Sequence, residues 1–234
     1  MPKKTVLILH SFRSGSNLIS RILSQNGIGD AREWLNSEYV ESVSAESKSE
    51  KKKRLLELVE ERSVNDIFSI KLPLDHFCNF THHLGIDGTK IGGLHKKFGK
   101  VEFIRVERAD IIAQSISFWK AKVTNQWYLE KGFHAEDCPD YNFIEIYECY
   151  NYLCREKFIW NEIIRNSNIN IHKLEYEKFI EDKSYIKDVI YKLWDGEMKK
   201  FPINLEYQLL RQSDSRIENY KKHFIKDYIK NRIY

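Results

Sequence analysis

The sequence predicts an α/β fold of three layers, with a central, mostly parallel sheet flanked by helices. Three observations predict it. Short runs such as Val6-Leu7-Ile8-Leu9 and Ile67-Phe68-Ser69-Ile70-Lys71-Leu72 are apolar on both faces, as strands covered on both sides must be. These runs alternate with longer segments of helical periodicity. A small-residue turn, Ser11-Phe12-Arg13-Ser14-Gly15-Ser16-Asn17, joins the first run directly to a helical pattern, Leu18 to Leu23.

The remaining elements follow in order. Glu46 to Arg54, running into Leu55-Leu56-Glu57-Leu58-Val59, reads as a helix with a solvated charged face. Pro73 stops the second strand. Val101-Glu102-Phe103-Ile104-Arg105-Val106 reads as a third strand, followed by a helix from about Asp110 to Lys122. A long helical pattern covers Tyr141 to Asn166, with apolar positions at Phe143, Ile146, Tyr150 and Leu153 among others. Asn170-Ile171-His172-Lys173-Leu174 is the fourth strand, and a helix is expected from about Asp182 to Leu193, with another at the C-terminus. His82-His83 reads as loop.

Length and charge narrow the function. A chain of 234 residues with 42% hydrophobic content is expected to form one domain over residues 1–234. The net charge of +4, from 38 basic and 34 acidic residues, argues against a nucleic-acid binder, which would carry a concentrated basic stripe. Cys78, Cys138, Cys149 and Cys154 form no CxxC pair and no metal-finger spacing, so reduced thiols and a cytoplasmic location are expected. The apolar run after Lys3 and Lys4 ends at His10, too short for a signal segment. No run is long enough for a transmembrane helix.

A strand feeding a tight turn into a helix N-terminus is an anion site, because unpaired N–H groups and the positive end of the helix dipole converge there. Ser14 and Ser16 add hydroxyl donors, Gly15 lets the backbone come close, and Arg13 adds a charged planar fork. His10, beside the turn, reads as structural, and Lys71 as a strand-end lysine whose stem snorkels. The natural occupant of the turn is a phosphate or sulfate group. The GK[ST] of nucleoside triphosphatases is missing, which disfavours ATP or GTP hydrolysis. Arg108 at the end of the third strand, Ser117 (or Ser115) on the following helix, and Arg211 with Gln212 before the last helix offer further anchors. Such separated anchors suit a ligand with phosphates at both ends of a ribose. A nucleotide-dependent phosphotransferase and a non-catalytic nucleotide-binding protein are the alternatives.

At these residues the chain resembles the bacterial sulfotransferases typified by trehalose 2-sulfotransferase. The similar segments are Arg13-Ser14-Gly15-Ser16 (family PRSGST), Ala31-Arg32-Glu33-Trp34-Leu35 (family PxEYF or PxEWF) and Phe68 to Leu72. Arg108 through Trp119 (family RRDxxAQAxSxW), Thr124-Asn125-Gln126-Trp127 (family TGQW), Tyr176-Glu177 and Arg211-Gln212-Ser213-Asp214 continue the match in order. The chain departs from the pattern at Phe12, Asn17, Ala31, Ala109 and Asn125, positions that cluster where acceptor and nucleotide meet.

The resemblance implies a P-loop-like sulfotransferase fold and transfer of a sulfuryl group from 3′-phosphoadenosine 5′-phosphosulfate to a hydroxyl, with a carbohydrate or glycolipid as acceptor. It also suggests a homodimer. Carried onto this sequence, the turn from Ser11 and Phe12 through Arg13, Ser14, Gly15, Ser16 and Asn17 would hold the 5′-phosphosulfate. Arg108 and Ser117 would hold the 3′-phosphate, and Arg211 and Gln212 would close over the nucleotide. Glu33 matches the family's general base, and Arg13 would act on the transferring group. The scheme calls for no metal.

Overall fold

In the computed structural model, residues 1–128, 139–195, 202–206 and 215–232 are described. The apolar runs form four strands: β1 (Lys4–His10), β2 (Ile67–Leu72), β3 (Lys100–Glu107) and β4 (Ile171–Glu175). Every residue of β1 and β2 is buried, which is why they read as continuous apolar runs rather than as alternating ones. The helices are α1 (Ser16–Gln25), α2 (Ser37–Ser42), α3 (Lys48–Glu61), α4 (Leu74–Leu84), α5 (His95–Phe98), α6 (Ile111–Thr124), α7 (Phe143–Ser167), α8 (Tyr176–Glu181), α9 (Lys187–Leu193) and α10 (Ser215–Arg232).

The sheet is parallel throughout, in the order β2-β1-β3-β4. Side chains alternate across it. Leu7 and Leu9 join Phe68, Ile70 and Leu72 under Leu55 and Val59 of α3, Phe77 and Phe80 of α4, and Trp160 of α7. Val6 and Ile8 face the other way, with Ile104 and Val106, onto α1, α8 and α9. A third cluster joins α6, α7 and α10 through Ile116, Trp119, Leu153, Ile217 and Phe224. The three layers expected from the sequence are present.

Chain order places the site. The chain leaves β1 for β2 on one side, then returns across β1 to β3 on the other. The segments after β1 and β3 therefore diverge and open a crevice at the carboxyl edge of the sheet, the usual binding place in such folds.

Two expectations are corrected. His82 and His83 lie in the last turn of α4, with His83 buried, not in a loop. Pro73 ends β2 but also caps α4, whose Leu74, Phe77, Phe80 and Leu84 follow helical spacing, and Gly85 at φ 66° stops it. The helix expected from Asp182 opens as a 3-10 turn, Lys183–Ile186, before α9. Cys78, Cys149 and Cys154 are free thiols; Cys138 lies outside the described residues.

Candidate active site

The turn after β1 has a geometry that can hold an anion. Arg13 sits at φ 60° and Gly15 at φ 91°, so two left-handed residues curl the backbone around the N-terminus of α1. Ser14 N–H donates to Ser11 O at 3.3 Å, closing the turn. The residue preceding α1 is Gly15, which offers no side chain to cap the helix, so the first N–H groups are not taken by a capping hydroxyl. Ser14 Oγ is buried without a hydrogen-bond partner among the described residues. A Cβ on Gly15 would lie 2.4 Å from Cδ2 of Tyr176, so the ring of Tyr176 closes one wall of the turn.

Two guanidinium groups meet there. Arg13 Nε donates to Ser117 Oγ at 3.0 Å, and Arg13 also donates to the Trp127 carbonyl. Burial, helped by the charge of Arg108, lowers the Arg13 pKa to about 10. Arg108 donates to Arg13 O at 3.5 Å, lies over the Tyr176 ring at 5.1 Å, and stands 3.7 Å from Glu177. Ser117 faces Arg13, whereas Ser115 is fully buried and donates to its own helix at Ile111 O, 2.6 Å away. Gln114 Nε2 donates to Phe12 O at 2.7 Å, anchoring the turn to α6.

The N-terminus of α6 differs from that of α1. Asp110 accepts from Ala113 N–H at 3.0 Å, and Glu177 accepts from Ala109 N–H at 3.0 Å. These carboxylates take up N–H groups at that end. A small cavity of about 10 Å³, room for about one water, lies between the turn and β3 and is lined by Ser11, Ser14, Arg105, Arg108 and Gln114 among others.

Glu33 reaches the same edge from the loop after α1. That loop pairs with β2: Lys71 N–H donates to Arg32 O at 2.9 Å. The Glu33 carboxylate, half-buried, accepts from Lys71 Nζ at 3.0 Å, and Lys71 also donates to Asn17 Oδ1. Burial works against ionisation of Glu33, but the charge of Lys71 and its hydrogen bond outweigh it, so its pKa is lowered. Lys71 does not snorkel to solvent. It is 5% exposed and joins the carboxylate to the anion turn.

Behind the turn, Arg105 and Glu156 are each 2% exposed. Arg105 donates to Glu107 at 3.3 Å and stacks over Trp160 at 5.2 Å. Burial pushes Glu156 up to about 6, held back by Ser11, Tyr152 and Arg105. Phe12 stacks on Phe118 at 5.2 Å and lies beside Trp127 and Tyr152, which gives the turn an aromatic flank. Trp119, by contrast, is a core residue that donates to Glu145 at 2.6 Å.

A family model, Stf0 sulphotransferase, matches residues 5–227. The chain belongs to the Stf0 sulfotransferase family. Among solved structures it is similar to the sulfotransferase domain of the olefin synthase from Synechococcus PCC 7002, at 14% identity and a TM-score of 0.44, over 93% of this chain and 80% of that one. No curated protein sequence matches it.

The sulfotransferase therefore gathers Ser11 through Asn17, Glu33, Arg108 and Ser117 at one edge of its sheet. Arg211 and Gln212 lie outside the described residues. Sequence reasoning missed Lys71 as a partner of Glu33 and the two buried charged residues Arg105 and Glu156. For Lys71 the signal was present, as a cation inside an apolar strand. Among the described residues no group of three or more His, Cys, Asp or Glu is arranged to hold a metal ion, and no helix is long and apolar enough to cross a membrane.

Proposed function

We propose that this sulfotransferase moves a sulfuryl group from 3′-phosphoadenosine 5′-phosphosulfate to a hydroxyl of a carbohydrate or glycolipid. Glu33 serves as general base and the whole chain acts as one cytoplasmic domain, paired as a homodimer. One observation carries the reading. The half-buried carboxylate of Glu33 is joined through Lys71 to Asn17, so a base and an anion cradle are fixed to each other.

The residues fit such a donor. Left-handed Gly15, the N-terminus of α1 and the hydroxyl of Ser14 offer neutral donors to the 5′-phosphosulfate. Arg13 adds a charge where the transferring group and the bridging oxygen would sit. Arg108 and Ser117 serve the 3′-phosphate. Two guanidinium groups held together, one of them with a lowered pKa, are relieved by a multiply charged anion. As in phosphoryl transfer, alignment of the attacking oxygen and stabilisation of the leaving phosphate supply most of the rate. Glu33, held ionised by Lys71, takes the hydroxyl proton, worth about 10²–10⁴-fold.

The test is calorimetry with adenosine 3′,5′-bisphosphate without magnesium, followed by a labelled-sulfate screen over sugars, glycolipids and small alcohols. Tight binding and label transfer are expected. Glu33→Gln should bind the bisphosphate and not turn over, and Arg13→Ala should abolish transfer. Magnesium-dependent ATP binding in place of bisphosphate binding would establish a phosphotransferase instead, and full activity in Glu33→Gln would remove the base.

A further inference from the structure

Glu33 also faces the anion turn across the ring of His10. Ser16 Oγ lies 3.2 Å from His10 Nδ1, and His10 Nε2 lies 3.7 Å from Glu33 Oε1. His10 is the last residue of β1 and is 1% exposed. Its Nδ1 also lies 3.2 Å from the carbonyl oxygen of Ser11. A carbonyl oxygen only accepts, so the Nδ1–H tautomer is the one that satisfies this contact, with Ser16 Oγ as a second acceptor.

The ring is neutral. Burial drives its pKa down to about 3, and the charges of Lys71 and Arg105 add to this while Glu33 opposes it. Nε2 then presents a bare lone pair, which has no hydrogen-bond partner among the described residues. It faces a carboxylate, and two acceptors form no hydrogen bond. The bond becomes available only when Glu33 carries a proton.

We propose that His10 is a positioning residue for the base: its Nε2 lone pair accepts a hydrogen bond from Glu33 once the carboxylate has taken the proton of the acceptor hydroxyl. This rests on Glu33 acting as base in sulfuryl transfer. The acceptor O–H bond breaks and its proton bonds to Glu33. The acceptor oxygen forms the new bond to sulfur, and the sulfur–bridging-oxygen bond breaks with its electron pair leaving on the 5′-phosphate. His10 stays neutral throughout and gains a hydrogen bond, not a proton. A buried acceptor left unpaired in the ground state and satisfied as the proton moves stabilises the later state over the earlier one. The same ring is anchored to Ser16, so the donor turn and the base are aligned together. The charged and titratable groups around Glu33 are Lys71, His10 and His76; around His10 they are Glu33, Lys71 and Arg105.

Two measurements test this on the full chain. The first, nitrogen-15 NMR of the histidine rings, needs no substrate. His10 should show the Nδ1–H tautomer at neutral pH, with a bare Nε2 signal that moves toward the hydrogen-bonded position as Glu33 is protonated. That movement should vanish in Glu33→Gln. An Nε2–H tautomer, or an Nε2 signal that ignores pH in the wild type, would overturn the proposal. The second is kinetics of His10→Asn, which keeps a donor toward Ser11 O and deletes Nε2. kcat should fall about three- to tenfold, the size of one neutral hydrogen bond. The bisphosphate affinity should hold within about twofold, and the acid limb of kcat/KM should move to lower pH. His10→Gln, which returns an acceptor, should recover part of kcat. Loss of bisphosphate affinity with an unmoved acid limb would mean that His10 only braces the turn. Absence of sulfuryl transfer in the wild type would overturn the functional reading and with it this role. Transfer with a silent Nε2 would overturn the role of His10 alone.

Discussion

Gly15→Ala is the sharpest test of the turn. Gly15 sits at φ 91°, where a residue with a Cβ costs about 1–2 kcal/mol. The new methyl would also meet Tyr176 Cδ2 at 2.4 Å, with Cε2 and Cγ at 3.2 and 3.3 Å. Carbon atoms prefer about 3.5–4.0 Å, so the ring must withdraw by about an ångström, an overpacking cost of about 1–3 kcal/mol. Together the loss is about 2–5 kcal/mol of stability. The ring cannot move alone, because the Arg108 guanidinium lies over it at 5.1 Å. Urea unfolding should show the destabilisation, and calorimetry should show weaker binding of adenosine 3′,5′-bisphosphate. Adding Tyr176→Ala should return the overpacking share and leave the backbone share, so the double-mutant cycle should be non-additive. A Gly15→Ala protein within about 0.5 kcal/mol of wild type, the ordinary range for a harmless surface change, with unchanged affinity would refute both the strain and the closed wall.

Three further outcomes are expected. Arg108→Ala should weaken bisphosphate binding by about 1.5–3 kcal/mol, the size of a hydrogen bond to a charged group; calorimetry with an analogue lacking the 3′-phosphate should show no such loss. Lys71→Met leaves burial to dominate at Glu33, so the acid limb of kcat/KM should move to higher pH, opposite to His10→Asn; an unmoved limb would mean that Lys71 does not set the charge of Glu33. Glu156 titrates at about 6 against an ordinary 4.5, so its contribution to stability is present below about 4.5 and lost as pH rises through about 6. A gap of that size is worth roughly 2 kcal/mol, and the stability of wild type relative to Glu156→Gln, from urea unfolding, should fall by that amount between pH 4 and pH 7. A pH-independent difference would mean that burial does not control Glu156.

The strands were legible because burial on both faces favours continuous apolar residues, as in Val6 to Leu9 of β1 and, broken by Ser69 and Lys71, in Ile67 to Leu72 of β2. The turn after β1 was legible because its Gly and Ser sit directly between a strand and a helix. α4 was harder. Pro73 reads as a stop, yet the same proline starts a helix, and His82-His83 look polar although His83 packs inward. At the site, Glu33 could be named from its motif but its partners could not. Lys71 is 38 residues away and His10 is 23, and both meet it only because β1 and β2 lie side by side with Ile8 opposite Lys71.

The sequence by itself determined the layered fold and the small-residue turn that joins β1 to α1, since each depends on residue type and on neighbours along the chain. Tertiary structure decided the charges. Whether Glu33 is ionised, Glu156 half-protonated near pH 6 and His10 neutral depends on burial and on partners from other strands and helices. Desolvation and Coulomb interaction act through space, not along the chain, so periodicity and spacing carry no record of them.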